Sequence, residues 1–296
     1  WDCRRRIMAH MIIDPHAHII PVREPVWGWG PNFTVERLLA MMDRDYDILG
    51  EVKHVAKAVV MTGLGLTSVG HKSLVEAHEY ALASVKAHAD RLYLNPVINP
   101  RSYVPDQLHQ IRDWKDEYNV RMLKIHPSMH NYYLPTYSPF PGEVSKKMVY
   151  PIFELARELG VPVMIHMGET PYAMPCQIAL LAEAFPDVNL LVAHSGANNI
   201  PANANDAILL ARTHDNVFLG LSWVQPPEMW QMYYALGANK MVWESDCSPQ
   251  SMGQSLRLVT NLHLPPPLGV GASVEEVYRI LGGNAAELCG IEAYGS

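Results

Sequence analysis

Five short segments each set a side chain able to bind a metal or move a proton at the end of an apolar run. They are Ile12-Ile13-Asp14-Pro15-His16-Ala17-His18, Met122-Leu123-Lys124-Ile125-His126, Val163-Met164-Ile165-His166, Leu190-Leu191-Val192-Ala193-His194 and Met241-Val242-Trp243-Glu244-Ser245-Asp246. Side chains at i and i+2 of a strand share a face. His16 and His18 can therefore grip one ion, and histidine is the commonest metal ligand. His166 and Asp246 are the natural third and fourth donors, a nitrogen and carboxylate set that leaves a position open for water. Asp246 can also accept a proton from that water, which the ion makes acidic. His194 reads as a neutral acid–base group beside it, or as a further ligand. His126 can orient substrate or serve a second ion. Glu169 can hold a ligand histidine or touch substrate.

Those positions need elements to bring them together. Apolar runs near residues 10–16, 55–62, 91–98, 120–126, 161–167, 188–194, 216–222 and 240–245 alternate with helical patterns near 34–48, 72–89, 104–118, 145–159, 173–185, 203–213 and 226–236. Eight strands alternating with helices predict a single (β/α)₈ barrel, with a helical tail over 273–288 around Gly282-Gly283-Asn284. Pro151 lies inside the 145–159 pattern and predicts a late start or a kink there. Residues 1–10 read as a leader and 11–296 as the barrel domain. Three long connections follow strands and so belong on the face where barrel active sites form. They carry Trp27 and Trp29, then Tyr132, Tyr133 and Tyr137, then Trp223 and Trp230, which predicts a largely apolar substrate pocket.

Composition narrows the partners. The chain has 296 residues, 49% of them hydrophobic, and a formal charge of -7. No basic helix face or aromatic RNA-binding signature is present, which speaks against nucleic acid. No apolar run nears the ~18 residues of a membrane span. Cys3, Cys176, Cys247 and Cys289 are widely spaced without a CxxC pair, which fits a reducing, cytoplasmic setting. Small-molecule chemistry is the expectation, with a homodimer as the possible assembly.

Asp14-Pro15-His16-Ala17-His18, Lys124-Ile125-His126-Pro127, His166-Met167-Gly168, His194-Ser195-Gly196, Ser245-Asp246 and Gly282-Gly283-Asn284-Ala285-Ala286 together resemble the amidohydrolase superfamily. More narrowly, they are similar to the group that includes aminocarboxymuconate-semialdehyde decarboxylase, resorcylate decarboxylases and pyrone-dicarboxylate lactonase. The resemblance implies a TIM barrel with a divalent ion, zinc first and manganese or iron as alternatives. It matches His16, His18, His166 and Asp246 to the ligands and His194 to the catalytic histidine. Lys124 matches a position that some relatives carboxylate to bridge two ions. One ion is the expectation, with Lys124 paired instead to Glu244, which stands where a small residue is common. The expected reaction is hydrolysis of an ester, lactone, amide or thioester by metal-activated water. Non-oxidative decarboxylation of an aromatic or unsaturated acid is the alternative, hydration a lesser one and a non-catalytic metal-bound scaffold the last.

Overall fold

The structure, a computed structural model, describes residues 10–21, 33–63, 67, 73–102, 105–137, 139–247 and 249–292. The expected leader, apart from His10, lies outside the described residues, as do Trp27 and Trp29. The barrel strands are β1 (Ile12–Ile19), β2 (Val55–Thr62), β3 (Leu92–Leu94), β4 (Leu123–Ile125), β5 (Val163–His166), β6 (Leu190–Ala193), β7 (Val217–Gly220) and β8 (Met241–Val242). Neighbours pair in parallel within two arcs, β1-β2-β3 and β4 through β8. Parallel bridges join the arcs at both seams: Leu94 with Val120 and Val97 with Lys124 on one, Ala17 with Cys247 on the other. At the second seam His18 N donates to Cys247 O at 2.7 Å. The sheet returns on itself, as the alternating pattern predicts.

Period-two alternation divides the apolar residues into two layers. Ile13, Val59, Met61, Met122, Met164, Leu191 and Val242 cluster with one another in the lumen. Their neighbours Ile12, Val60, Leu123, Val163, Ile165, Leu190 and Val192 pack outward into the larger core with the helices. Those helices are α1 (Val35–Met42), α2 (Leu74–Ala87), α3 (Pro105–Glu117), α4 (Pro139–Leu159), α5 (Ala179–Ala184), α6 (Asn203–Thr213), α7 (Pro226–Leu236) and α8 (Met252–Thr260). The tail forms α9 (Val274–Tyr278) and α10 (Asn284–Cys289), joined by a π-helical turn. Ala285 and Leu288 of α10 join the lumen cluster and close its N-terminal end.

Strand β1 departs from strict alternation, and the departure sets the site. Ile13 faces the lumen, so plain alternation would turn Pro15 and Ala17 inward and both histidines outward. Instead the register shifts between Asp14 and Ala17, where three steps on β1 match two on β2, from Ala58 to Val60. This is a β-bulge with one extra residue. Ala17 then packs in the outer core and His16 and His18 line the cavity. Pro15 sits where a bulge tolerates a missing donor.

Four elements differ from the sequence expectation, one being α8, which forms where no helix is expected. The first helix ends at Met42, and the chain turns into a hairpin, Tyr46–Ile48 with Glu51–Lys53, through Leu49 and Gly50 at φ 57° and 86°. The segment read as one helix over 173–185 splits into a 3₁₀ turn at Pro175–Ile178 and α5. Helix α4 runs unbroken through Pro151 and starts earlier than expected.

Candidate active site

Four strands deliver side chains to one rim, three of them in register with the lumen residues beneath. Met122 leads to Lys124 and His126, Met164 to His166, and Val242 to Glu244 and Asp246. The fourth, β6, ends on lumen-facing Ala193, and His194 and Ser195 then adopt φ of 61° and 49°. Left-handed backbone at a non-glycine residue costs about 1–3 kcal/mol and gathers at functional sites. Trp223 and Asp246 share it, at φ 62° and 46°. The twist turns His194 back toward the cavity that alternation would have denied it.

The cavity measures about 780 Å³. On one side, His16 Nε2 and His18 Nε2 lie 3.2 and 3.3 Å from Asp246 Oδ1. These three donors are close enough to hold one ion, and all three residues are buried. Three neutral-to-anionic donors on rigid strand ends suit a divalent cation. The other oxygen of Asp246, Oδ2, accepts from the Trp223 indole Nε1 at 2.6 Å. Burial would raise the Asp246 carboxyl, but His16, His18 and His194 around it hold it well below the ordinary range.

His166 lines the same cavity but does not join that trio. Its Nε2 faces Glu169 Oε2 at 2.6 Å and its Nδ1 faces His194 Nε2 at 3.1 Å. The His126 ring stacks on it at 3.6 Å between centroids. His126 Nδ1 accepts from Met129 N at 3.1 Å and so caps the one-turn helix Pro127–His130. Glu169 also accepts from Ser128 Oγ, Asn198 Nδ2 and Asn199 Nδ2. Burial pushes its carboxyl up, but the His166 and Ser128 contacts prevail and take it down to about 2.

Glu244 does not pair with Lys124. Among the described residues the Lys124 ammonium has no hydrogen-bond partner and no carboxylate within ion-pair distance, although the side chain is fully buried. Glu244 instead turns to the opposite wall. Its Oε1 accepts from His194 N at 2.8 Å and Ser222 Oγ at 2.7 Å, and its Oε2 faces His16 Nδ1 at 3.0 Å. Gly220 makes the room, since a Cβ there would overlap the Glu244 carboxylate. Ser222 Oγ also meets His194 Nδ1 at 2.7 Å. Burial drives the His194 imidazole down to about 3, so it is neutral at physiological pH.

Most of the aromatic residues expected in the pocket stand elsewhere. Trp223 lines it. Asn131, at φ 53°, ends the one-turn helix and throws the following loop outward. Tyr137 is 66% exposed, Tyr133 is 40% exposed and packs on Tyr172, and Tyr132 is buried outside the cavity. Trp230 sits on α7 against the outer core. The described walls mix polar groups, among them Ser128, Asn131, Asn198 and Asn199, with Met129, Trp223 and Pro249, and the surface they expose is more apolar than polar. Sequence reasoning passed over two residues. Asp14 accepts from His16 N, Ser245 N and Ser245 Oγ, tying β1 to the end of β8. Ser222 orients His194, and a lone serine after a strand carries no signal of that role. Cys247 is packing, buried with its Sγ 3.7 Å from Met41 Sδ.

A closed parallel barrel with an HxH pair on its first strand and an aspartate after its eighth defines an enzyme with a metal-site rim. The amidohydrolase family profile matches residues 13–291, and the chain belongs to that family. No curated protein matches it in sequence. Among solved structures it resembles 5-carboxyvanillate decarboxylase from Sphingomonas paucimobilis, at 16% identity and TM-score 0.65 over 95% of this chain and 99% of the other. It also resembles 5-carboxyvanillate decarboxylase from Novosphingobium aromaticivorans in complex with manganese and 4-hydroxy-3-methoxy-5-nitrobenzoic acid. That match has 12% identity and TM-score 0.67 over 96% and 97%. A third is dihydroxybenzoic acid decarboxylase from Polaromonas with manganese and 2-nitroresorcinol, at 11% identity and TM-score 0.63 over 95% and 97%. Among the described residues no helix is long and apolar enough to cross a membrane.

Proposed function

We propose that the protein is a metal-dependent, non-oxidative decarboxylase of a small hydroxylated aromatic or unsaturated acid. One observation weighs most against the hydrolysis expected from sequence. Hydrolysis requires a base to take a proton from water, and Asp246 and His194 are the residues expected to share that task. The Oδ1 of Asp246 is turned to the His16–His18 pair and its Oδ2 accepts from the Trp223 indole, so Asp246 is placed first as an ion ligand and the proton work falls mainly to His194. Decarboxylation needs no such base. The bond from ring carbon to carboxylate breaks, its electron pair stays on carbon, CO₂ leaves, and an acid returns a proton to that carbon. The decarboxylases that share this fold add support at the level of the fold.

His16, His18 and Asp246 would hold the ion; His166 lines the same cavity with its ring nitrogens turned to Glu169 and His194. The ion, manganese by analogy with the similar structures, would polarise substrate oxygens and stabilise charge developing on them. His194, neutral before substrate binds, would take the proton of the substrate hydroxyl and return it to the vacated carbon. Ser222 and the Glu244 carboxylate fix its ring and its backbone, so the imidazole is oriented before substrate arrives. Asn131, Asn198 and Asn199 on the cavity wall can hydrogen-bond the hydroxyl and carboxylate groups of such an acid.

The test is turnover of a panel of hydroxybenzoates by manganese-loaded protein in ¹⁸O-labelled water and, separately, in D₂O. CO₂ release with deuterium at the vacated carbon is the expected result. Entry of ¹⁸O into a product carboxylate would restore hydrolysis.

A further inference from the structure

We propose that Lys124 forms an anion subsite that grips a second, retained carboxylate of the substrate. The inference rests on the decarboxylase reading and extends it to substrate class: an acid carrying two anionic groups, one lost as CO₂ and one kept.

The position of Lys124 has a plain cause. It occupies the middle of β4 between outward Leu123 and Ile125, so its side chain must enter the lumen above Met122. There it is fully buried, yet it lines the cavity and its ammonium has no hydrogen-bond partner among the described residues. A buried charge without a partner is strongly disfavoured, so such a group in a native protein is normally completed by something.

The protein itself does not complete it. Each carboxylate near Lys124 is committed to other donors. Glu244 serves His16, Ser222 and the His194 backbone; Asp246 serves Trp223 and faces the histidine pair; Glu169 serves His166, Ser128, Asn198 and Asn199. A second metal ion does not complete it either. Bridging through a carboxylated Lys124 needs His126 and His166 as donors beside it, but His126 Nδ1 accepts from Met129 N, the two rings stack on each other, and His166 faces Glu169 and His194. What remains is a group that enters through the cavity with negative charge. Burial lowers the ammonium to about 8, which leaves it mainly protonated at neutral pH.

The retained carboxylate is the productive one to bind. An ammonium paired with the leaving carboxylate would favour charge staying on it, and so would stabilise substrate over transition state. An ammonium paired with a spectator carboxylate binds both states equally and fixes the ring against the ion. A cavity of about 780 Å³ accommodates a ring with two such substituents.

The test is calorimetric binding of benzoate and isophthalate to manganese-loaded protein, comparing wild type with Lys124→Met and Lys124→Gln. Wild type should bind isophthalate about 10-fold or more tightly than benzoate, as expected for a charge-assisted contact. Both variants should keep their metal and lose that preference. Equal affinity for the two probes in wild type, or a preference unchanged in both variants, would overturn the proposal. So would the mass of a carboxyl group on Lys124 together with a second manganese that the variants lose. Binding involves no turnover, so a failure here is separate from a failure of the isotope test above.

Discussion

Replacing Glu244 with glutamine should weaken metal binding without touching a metal ligand. Glu244 accepts on both oxygens: two donors, His194 N and Ser222 Oγ, on Oε1 and His16 Nδ1 on Oε2. Glutamine keeps one acceptor. Its oxygen is best left with the two donors, which turns its NH₂ toward His16 Nδ1. That nitrogen must then accept, and the His16 proton moves to Nε2. Nε2 is the atom 3.2 Å from Asp246 Oδ1, on the side where the ion would sit, and a protonated nitrogen cannot ligate. Loss of an outer partner of this kind weakens metal binding about 10- to 100-fold, or about 1.4–2.8 kcal/mol. If glutamine takes the reverse orientation, its NH₂ meets the His194 N–H and Ser222. The cost, about 1–3 kcal/mol, then appears in the stability of the metal-free fold. Competition for manganese against a chromogenic chelator measures the first effect, and denaturant unfolding of the metal-free protein the second. Gly220→Ala, which pushes the same carboxylate away, should reproduce the metal defect. A folded Glu244→Gln protein with wild-type manganese affinity and wild-type stability would refute the tautomer argument.

His194→Asn should retain its metal and lose turnover by ~10² or more, the usual scale of acid–base catalysis, read by single-turnover kinetics on loaded protein. Asp14→Ala strands three buried donors that tie β1 to the end of β8, and should cost about 3 kcal/mol or more in urea unfolding. Acid sensitivity should trace in part to His78, which burial lowers to about 4 and whose ring nitrogens meet Leu74 O and Val97 N. Above pH 6.5 folded and unfolded chains are both neutral there. Below it the unfolded chain takes the proton first, so stability falls from pH 6.5 to 4 by about 3 kcal/mol, and His78→Gln should flatten that part of the profile.

The residues that could be read from sequence are those whose chemistry is carried by type alone. A histidine or aspartate after an apolar run announces itself whatever the backbone does, and the strand–helix alternation is a sum over many residues that tolerates local error. The misread elements depend on a few residues each. Leu49-Gly50 breaks a helical pattern into a hairpin through two left-handed residues, and α8 is marked mainly by its Ser251 cap. The aromatic loop was misplaced for a similar reason. Its direction is set by Asn131 in a left-handed cap, not by the apolar character of the tyrosines beyond it.

The bulge at Pro15 shows why side-chain type could be legible while its cause was not. HxH guarantees that His16 and His18 share a face, but not which face. Counting from lumen-facing Ile13, alternation would send both to the helices, where two unpartnered imidazoles would disrupt the outer core. The extra residue between Asp14 and Ala17 reverses that parity. The Asp14 carboxylate bridges the bulge, accepting from His16 N on its own strand and from Ser245 next to Asp246. The same local distortion that turns the histidines inward therefore fixes them relative to the carboxylate they face. The left-handed residues at His194, Trp223 and Asp246 do the same for the strands that follow. The barrel supplies the circle, and these few strained or bulged positions decide which side chains meet inside it.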